Sequence, residues 1–96
     1  DAYLSTIALQ EIAEAQTSFE DGSAAKDTYV QAIDNAMRIE DSFLQTTALS
    51  CIAESQAETD MSAAEKTTAM IDDEDVRLST LELIEKHGLE DKTIEI

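Results

Sequence analysis

Leu4 to Gln16 reads "LSTIALQEIAEAQ", and Leu44 to Gln56, 40 residues further on, reads "LQTTALSCIAESQ". A fainter third copy follows, with Val76, Leu81 and Ile84 standing 32 residues beyond Leu44, Leu49 and Ile52. A chain that repeats itself at this interval is assembled from packing units, each too small to bury its own apolar face.

Within the first copy, Leu4, Ala8, Ile12, Ala15 and Phe19 fall on one stripe at about 100° per residue, with Leu9 beside them. A helix over about 3–19 is predicted. It stops at Glu20-Asp21-Gly22-Ser23, where Asp21 and Gly22 supply turn chemistry and Ser23 is a candidate cap for the next helix. That second helix carries Ala25, Tyr29, Ala32, Ile33, Ala36 and Met37 on one face, and Lys26, Asp27, Gln31, Asp34 and Arg38 on the other. Ile39-Glu40-Asp41-Ser42 interrupts the pattern, and Asp41 or Ser42 can cap a third helix, the echoed segment. A short fourth helix over about 61–70 is capped by Asp60 or by Ser62, which with Glu65 has capping-box spacing. Ile71-Asp72-Asp73 repeats the junction, and a fifth helix over about 74–87 is expected to end at Gly88 in a left-handed cap.

The predicted fold is therefore all-α: antiparallel helix hairpins stacked as a short α-solenoid of about five helices, A-B-A-B-A, in a single helical-repeat domain. Repeat 1 covers about 3–41, repeat 2 about 42–73, and a terminal half repeat about 74–88. The tail over 89–96, where "TIEI" alternates like a strand and "LEDKTIEI" can also extend a helix, stays open.

Composition agrees with helices. There is no proline, and Gly22 and Gly88 are the two glycines. The aromatic residues are Tyr3, Phe19, Tyr29 and Phe43, so alanine-mediated close packing replaces a large aromatic core. No apolar run approaches the roughly 20 residues that span a bilayer, and the start of the chain has no basic or signal-like segment. A soluble, excised or processed fragment without membrane insertion is expected. The single cysteine, Cys51, offers neither a disulfide nor metal-ligand spacing, so nothing points to an oxidising compartment and a cytoplasmic location is expected. Cys51 reads as a small hydrophobe.

Twenty-two acidic against six basic side chains give a net charge of −16. Such a surface repels phosphate backbones and anionic lipid, which argues against nucleic-acid binding. Three readings of the acidity remain: adaptation to a salt-rich cytoplasm, as in a halophile; a docking face for a basic partner; and mimicry of nucleic acid. The acid is spread along the chain, which favours the first.

The A helices "ALQEIAEAQ" and "ALSCIAESQ", with the "IED" junction, resemble the tetratricopeptide-like class of helix-turn-helix repeats. The resemblance runs over about 3–87. The strict consensus Trp, Gly-Tyr pair and closing Pro are missing, so the chain resembles a degenerate or HEAT-like member. The resemblance implies a protein-protein interaction module or scaffold, with no enzyme activity and no cofactor. It also places the A-helix residues that point off the apolar stripe on a concave partner-binding face: Thr6, Gln10, Glu14, Thr46, Ser50, Glu54, Glu82 and Lys86. The expected partner is a protein or peptide, basic in the docking reading.

Several residues receive structural readings. Gln16 and Gln56 recur near the packed side, where a buried amide would bond helix-end carbonyls and order the turn. His87 reads as a C-terminal helix cap. The dense "DDED" at Asp72 to Asp75 reads as helix capping ahead of calcium binding. "EDSFL", Glu40 to Leu44, resembles the attachment site of an acyl carrier protein, with phosphopantetheine on Ser42 as an alternative function; the expected Leu-Gly pair before the Asp is absent. In the fifth helix, Leu78, Leu81, Leu83 and Ile84 with Val76 surround most of the axis. A further repeat, the tail, or a second copy in a homodimer is expected to cover that face.

Overall fold

The computed structural model describes the backbone of residues 1–94 and the side chains of residues 1–86. Among the described residues the chain forms five α-helices and no strand: α1 Ala2–Ser18, α2 Gly22–Ala36, α3 Ser42–Gln56, α4 Met61–Ala69 and α5 Glu74–Ile94. The all-helical expectation holds, with most boundaries within a residue or two.

Each helix starts in the same way. Asp1 accepts from the backbone N–H of Tyr3 at 2.8 Å, Asp21 from Ala24 at 3.2 Å, Asp41 from Leu44 at 3.0 Å, Asp60 from Ala63 at 3.1 Å and Asp73 from Val76 at 3.0 Å. The backbone carbonyls of the same five aspartates accept from Ser5, Ala25, Gln45, Ala64 and Arg77, closing each first turn. Where the sequence offers a serine as well, the aspartate takes the cap, because its charge adds to the hydrogen bond at the positive end of the helix dipole. Ser23 is thus not the cap of α2: Asp21 is, and α2 begins at Gly22.

The α1–α2 turn also departs from the glycine-based reading. Glu20 adopts φ 62°, Asp21 N–H donates to Gln16 O at 2.9 Å, and Glu20 N–H to Thr17 O at 3.0 Å. These are the two bonds of a Schellman motif with a glutamate in its left-handed position. Gly22 has no positive φ and lies in the first turn of α2.

α5 does not stop at Gly88. It continues to Ile94, so Gly88 is helical rather than a left-handed cap, and His87 is not at a helix end. A glycine within a helix costs ~1 kcal/mol relative to alanine but terminates nothing by itself. The open question over 89–96 resolves as helix through Ile94; residues 95–96 lie outside the described part.

The chain divides into two compact units, Asp1–Ala48 and Leu49–Ile96, with the boundary inside α3. In the first, α1 packs on α2. The face that α2 buries is the expected one: Ala25, Tyr29, Ala32 and Ala36 are buried, and Lys26, Asp27, Gln31, Asp34 and Arg38 are exposed. Met37 is the exception, exposed beyond the last turn.

α1 is different. Its buried residues are Thr6 and Ala13, while Leu4, Ala8, Ile12, Ala15 and Phe19 are exposed. The stripe read as the packed face of α1 lies nearly opposite the buried one, about 150° round the axis at 100° per residue. The alanine face of α2 accepts a close approach, which small side chains permit and leucine or phenylalanine does not. Thr6 is fully buried because its hydroxyl donates to Ala2 O at 2.7 Å, so that it packs like valine.

In the second unit, α4 packs on α5, and Ala57, Ala64 and Ile84 form a buried cluster with Met61 and Leu81 against it. Threonine again enters the interior: Thr68 donates to Ala64 O at 2.8 Å. Among the described residues, every buried side-chain polar atom has a hydrogen-bond partner.

Candidate interaction surface

Two glutamine–threonine pairs join consecutive helices. Thr28 Oγ1 donates to Gln16 Oε1 at 2.7 Å, and Thr67 Oγ1 donates to Gln56 Oε1 at 2.6 Å. Each hydroxyl also lies near the carbonyl four residues back in its own helix, Ala24 O at 2.9 Å and Ala63 O at 3.1 Å. One hydroxyl proton is thus shared between two acceptors. Each glutamine thus accepts from a threonine of the next helix, in place of the expected bonds to helix-end carbonyls.

Those carbonyls are reached by other residues. Gln45 Nε2 donates to Ala36 O at 3.2 Å and to Met37 O and Ile39 O at 3.3 Å. Thirty-two residues later, Arg77 donates to Ile71 O at 2.8 Å. Gln45 and Arg77 are each the fourth residue of their helices, α3 and α5, and Ile39 and Ile71, 32 residues apart, are both buried just before them. The conserved job is done by different side chains, so identity between the copies does not reveal it.

A further signal is visible in the sequence. "DGSAAKDT" (Asp21 to Thr28) and "DMSAAEKT" (Asp60 to Thr67) align with cap on cap and threonine on threonine. This second sequence echo falls on α2 and α4, independently of the one on α1 and α3.

The eight residues assigned to a concave face separate into two groups. Thr6 is buried, and Ser50 is half-buried with its Oγ 2.9 Å from Thr80 Oγ1, bonding α3 to α5. Thr6 therefore belongs to the interior, and the Ser50 hydroxyl is engaged with another helix. Gln10 is half-buried and donates to Glu14 Oε2 at 3.3 Å; Glu14 is exposed. Thr46 and Glu54 are half-buried, while Glu82 and Lys86 are exposed. Along α5, Leu78 and Leu83 face solvent, Leu81 is half-buried and Ile84 is buried.

The remaining candidates are placed simply. Cys51 is half-buried. Asp41 holds the α3 cap and Ser42 is the exposed first residue of that helix. Within "DDED", Asp73 caps α5, and no cluster of three or more His, Cys, Asp or Glu among the described residues could hold a metal ion. None of the described carboxylate residues is buried; Glu54 and Asp60 alone are half-buried. No described helix is long and apolar enough to cross a membrane.

No protein-family model matches the chain, and comparison with curated proteins and with solved structures returns no significant match.

Proposed function

We propose that the protein is a non-enzymatic interaction module of the tetratricopeptide-like kind, a short stack of helix hairpins that binds a basic segment of another protein on its carboxylate surface. One observation carries the stacked arrangement. At equivalent places the three A helices bury different faces. The middle one, α3, is covered on both: Ala48 and Ile52 on one side, Leu49, Ala53 and Gln56 on the other. α1 buries Thr6 and Ala13 and exposes Leu4, Ala8 and Ile12; α5 buries Thr80 and Ile84 and exposes Leu78 and Glu85. α1 and α5 thus leave opposite faces exposed and α3 neither, as the proposed stack of repeats would require.

The basic partner follows from what stays outside. The recurrent amides and hydroxyls are engaged within hairpins, leaving exposed carboxylates under a net charge of −16 as the dominant outward chemistry. The test is binding of lysine- and arginine-rich peptides against acidic and neutral controls at 50 and 500 mM potassium chloride. Selective binding of the basic set, weakened by salt and by the pair Glu82→Lys and Glu85→Lys, is expected. Binding indifferent to peptide charge or to salt would sink the proposal. Intact mass after treatment with a phosphopantetheinyl transferase is expected to be unchanged; a gain on Ser42 would replace the module reading by a carrier one.

A further inference from the structure

The exposed stripe on α1 has a defined complement within the same chain. Leu4, Ala8 and Ile12 stand 40 residues before Leu44, Ala48 and Ile52, and these stand 32 before Val76, Thr80 and Ile84. In α5 this face is occupied: Ile84 is buried with Ala57 and Ala64, and Met61 packs against the group. The helix immediately before it, α4, covers the Ile84 end of this stripe through Ala64 and Met61, while Thr80 meets Ser50 of α3. In α1 the same stripe is bare, with Leu4 65% and Ile12 48% exposed.

From this we infer that the α1 stripe is a docking face for a helix of α4's chemistry: a short helix capped by Asp, opening Ser-Ala-Ala, with its alanines toward Leu4, Ala8 and Ile12. Charge selects against a second α1 as occupant. α1 carries Glu11 and Glu14 and no lysine or arginine, so two such helices would oppose carboxylates, whereas α4, with Glu65 and Lys66, has no net charge. The inference uses the repeat register that also underlies the array reading, and it does not involve the basic partner.

The register specifies the experiment. Asp1, Asp41 and Asp73 are the caps of successive A helices, so a copy of residues 42–72 joined directly before Asp1 places the copied α4 against α1 as α4 stands to α5. Melting is compared in 0.5 M potassium chloride, which screens the added acid. The extended chain is expected to melt about 5–10 °C above the parent. Ile12→Glu, at a solvent-exposed position, should leave the parent's Tm unchanged and remove the gain in the extended chain. No gain, or a gain that survives Ile12→Glu, would overturn the inference. So would a parent that sediments as a dimer dispersed by Ile12→Glu, because the occupant would then be a second copy. Peptide binding is not read in this experiment, so its failure and that of the proposed function remain distinguishable.

Discussion

Gln56 and Thr67 meet at 2.6 Å in the buried part of the second hairpin, and their relationship is unequal. Without the amide Thr67 keeps a second acceptor, Ala63 O at 3.1 Å, whereas without the hydroxyl Gln56 Oε1 loses its donor at 2.6 Å. Removing the threonine hydroxyl should therefore cost more than removing the amide. Thr67→Val is expected to destabilise by about 1–3 kcal/mol, Gln56→Met by less, and the double variant by less than the sum. Urea unfolding of the four proteins measures the cycle; strict additivity would show that the pair is not coupled.

Glu20 holds a left-handed conformation that glycine adopts without penalty. Glu20→Gly should raise stability by about 0.5–1 kcal/mol, despite the greater freedom that glycine gives the unfolded chain. Glu20→Ala keeps the steric cost and should not reproduce the gain. Chemical denaturation distinguishes relief of strain from loss of one negative charge by including Glu20→Gln.

Arg77 and Gln45 satisfy corresponding junction carbonyls, so one should partly stand in for the other. Arg77→Met leaves Ile71 O without its charged donor and is expected to cost about 1.5–3 kcal/mol. Arg77→Gln should recover a measurable part of that loss in the same unfolding assay. Equal losses in the two variants would mean that stem packing, and not the hydrogen bond, is what Arg77 contributes.

A charge of −16 on 96 residues makes the folded chain repel itself. Raising potassium chloride from about 0.05 M to 1 M, which shortens the Debye length to about 3 Å, should raise the unfolding temperature. A Tm flat across this range would remove the salt-adapted explanation of the acidity.

Much of this architecture is legible from residue order. The five helix starts are written as aspartates before apolar runs, and α2's buried face follows from its alanines. α1 misleads because it has two usable faces. The larger side chains, Leu4, Ile12 and Phe19, dominate hydropathy, yet the hairpin selects Thr6 and Ala13, where close approach matters more than apolar size. Thr6 reads as a polar surface residue until its hydroxyl is given to its own helix at Ala2 O. Ser50 fails for a related reason: its partner, Thr80, is 30 residues away, and local spacing does not announce such a pair. Gly88 is a punctuation mark that the following Leu-Glu-Asp-Lys-Thr-Ile overrides with good helix continuation. The outward positions of Glu14, Glu82 and Lys86 needed only the periodicity.

The interior built from alanine and hydroxyl-satisfied threonine also governs how the protein responds to temperature. Among the described residues, fully buried large side chains are few, led by Leu49, Ile52, Ile71 and Ile84. Unfolding therefore hydrates little hydrocarbon, and the heat-capacity increment should fall below the usual ~12–15 cal/mol/K per residue. A smaller increment flattens the free-energy curve, so stability should decline slowly both on warming and on cooling.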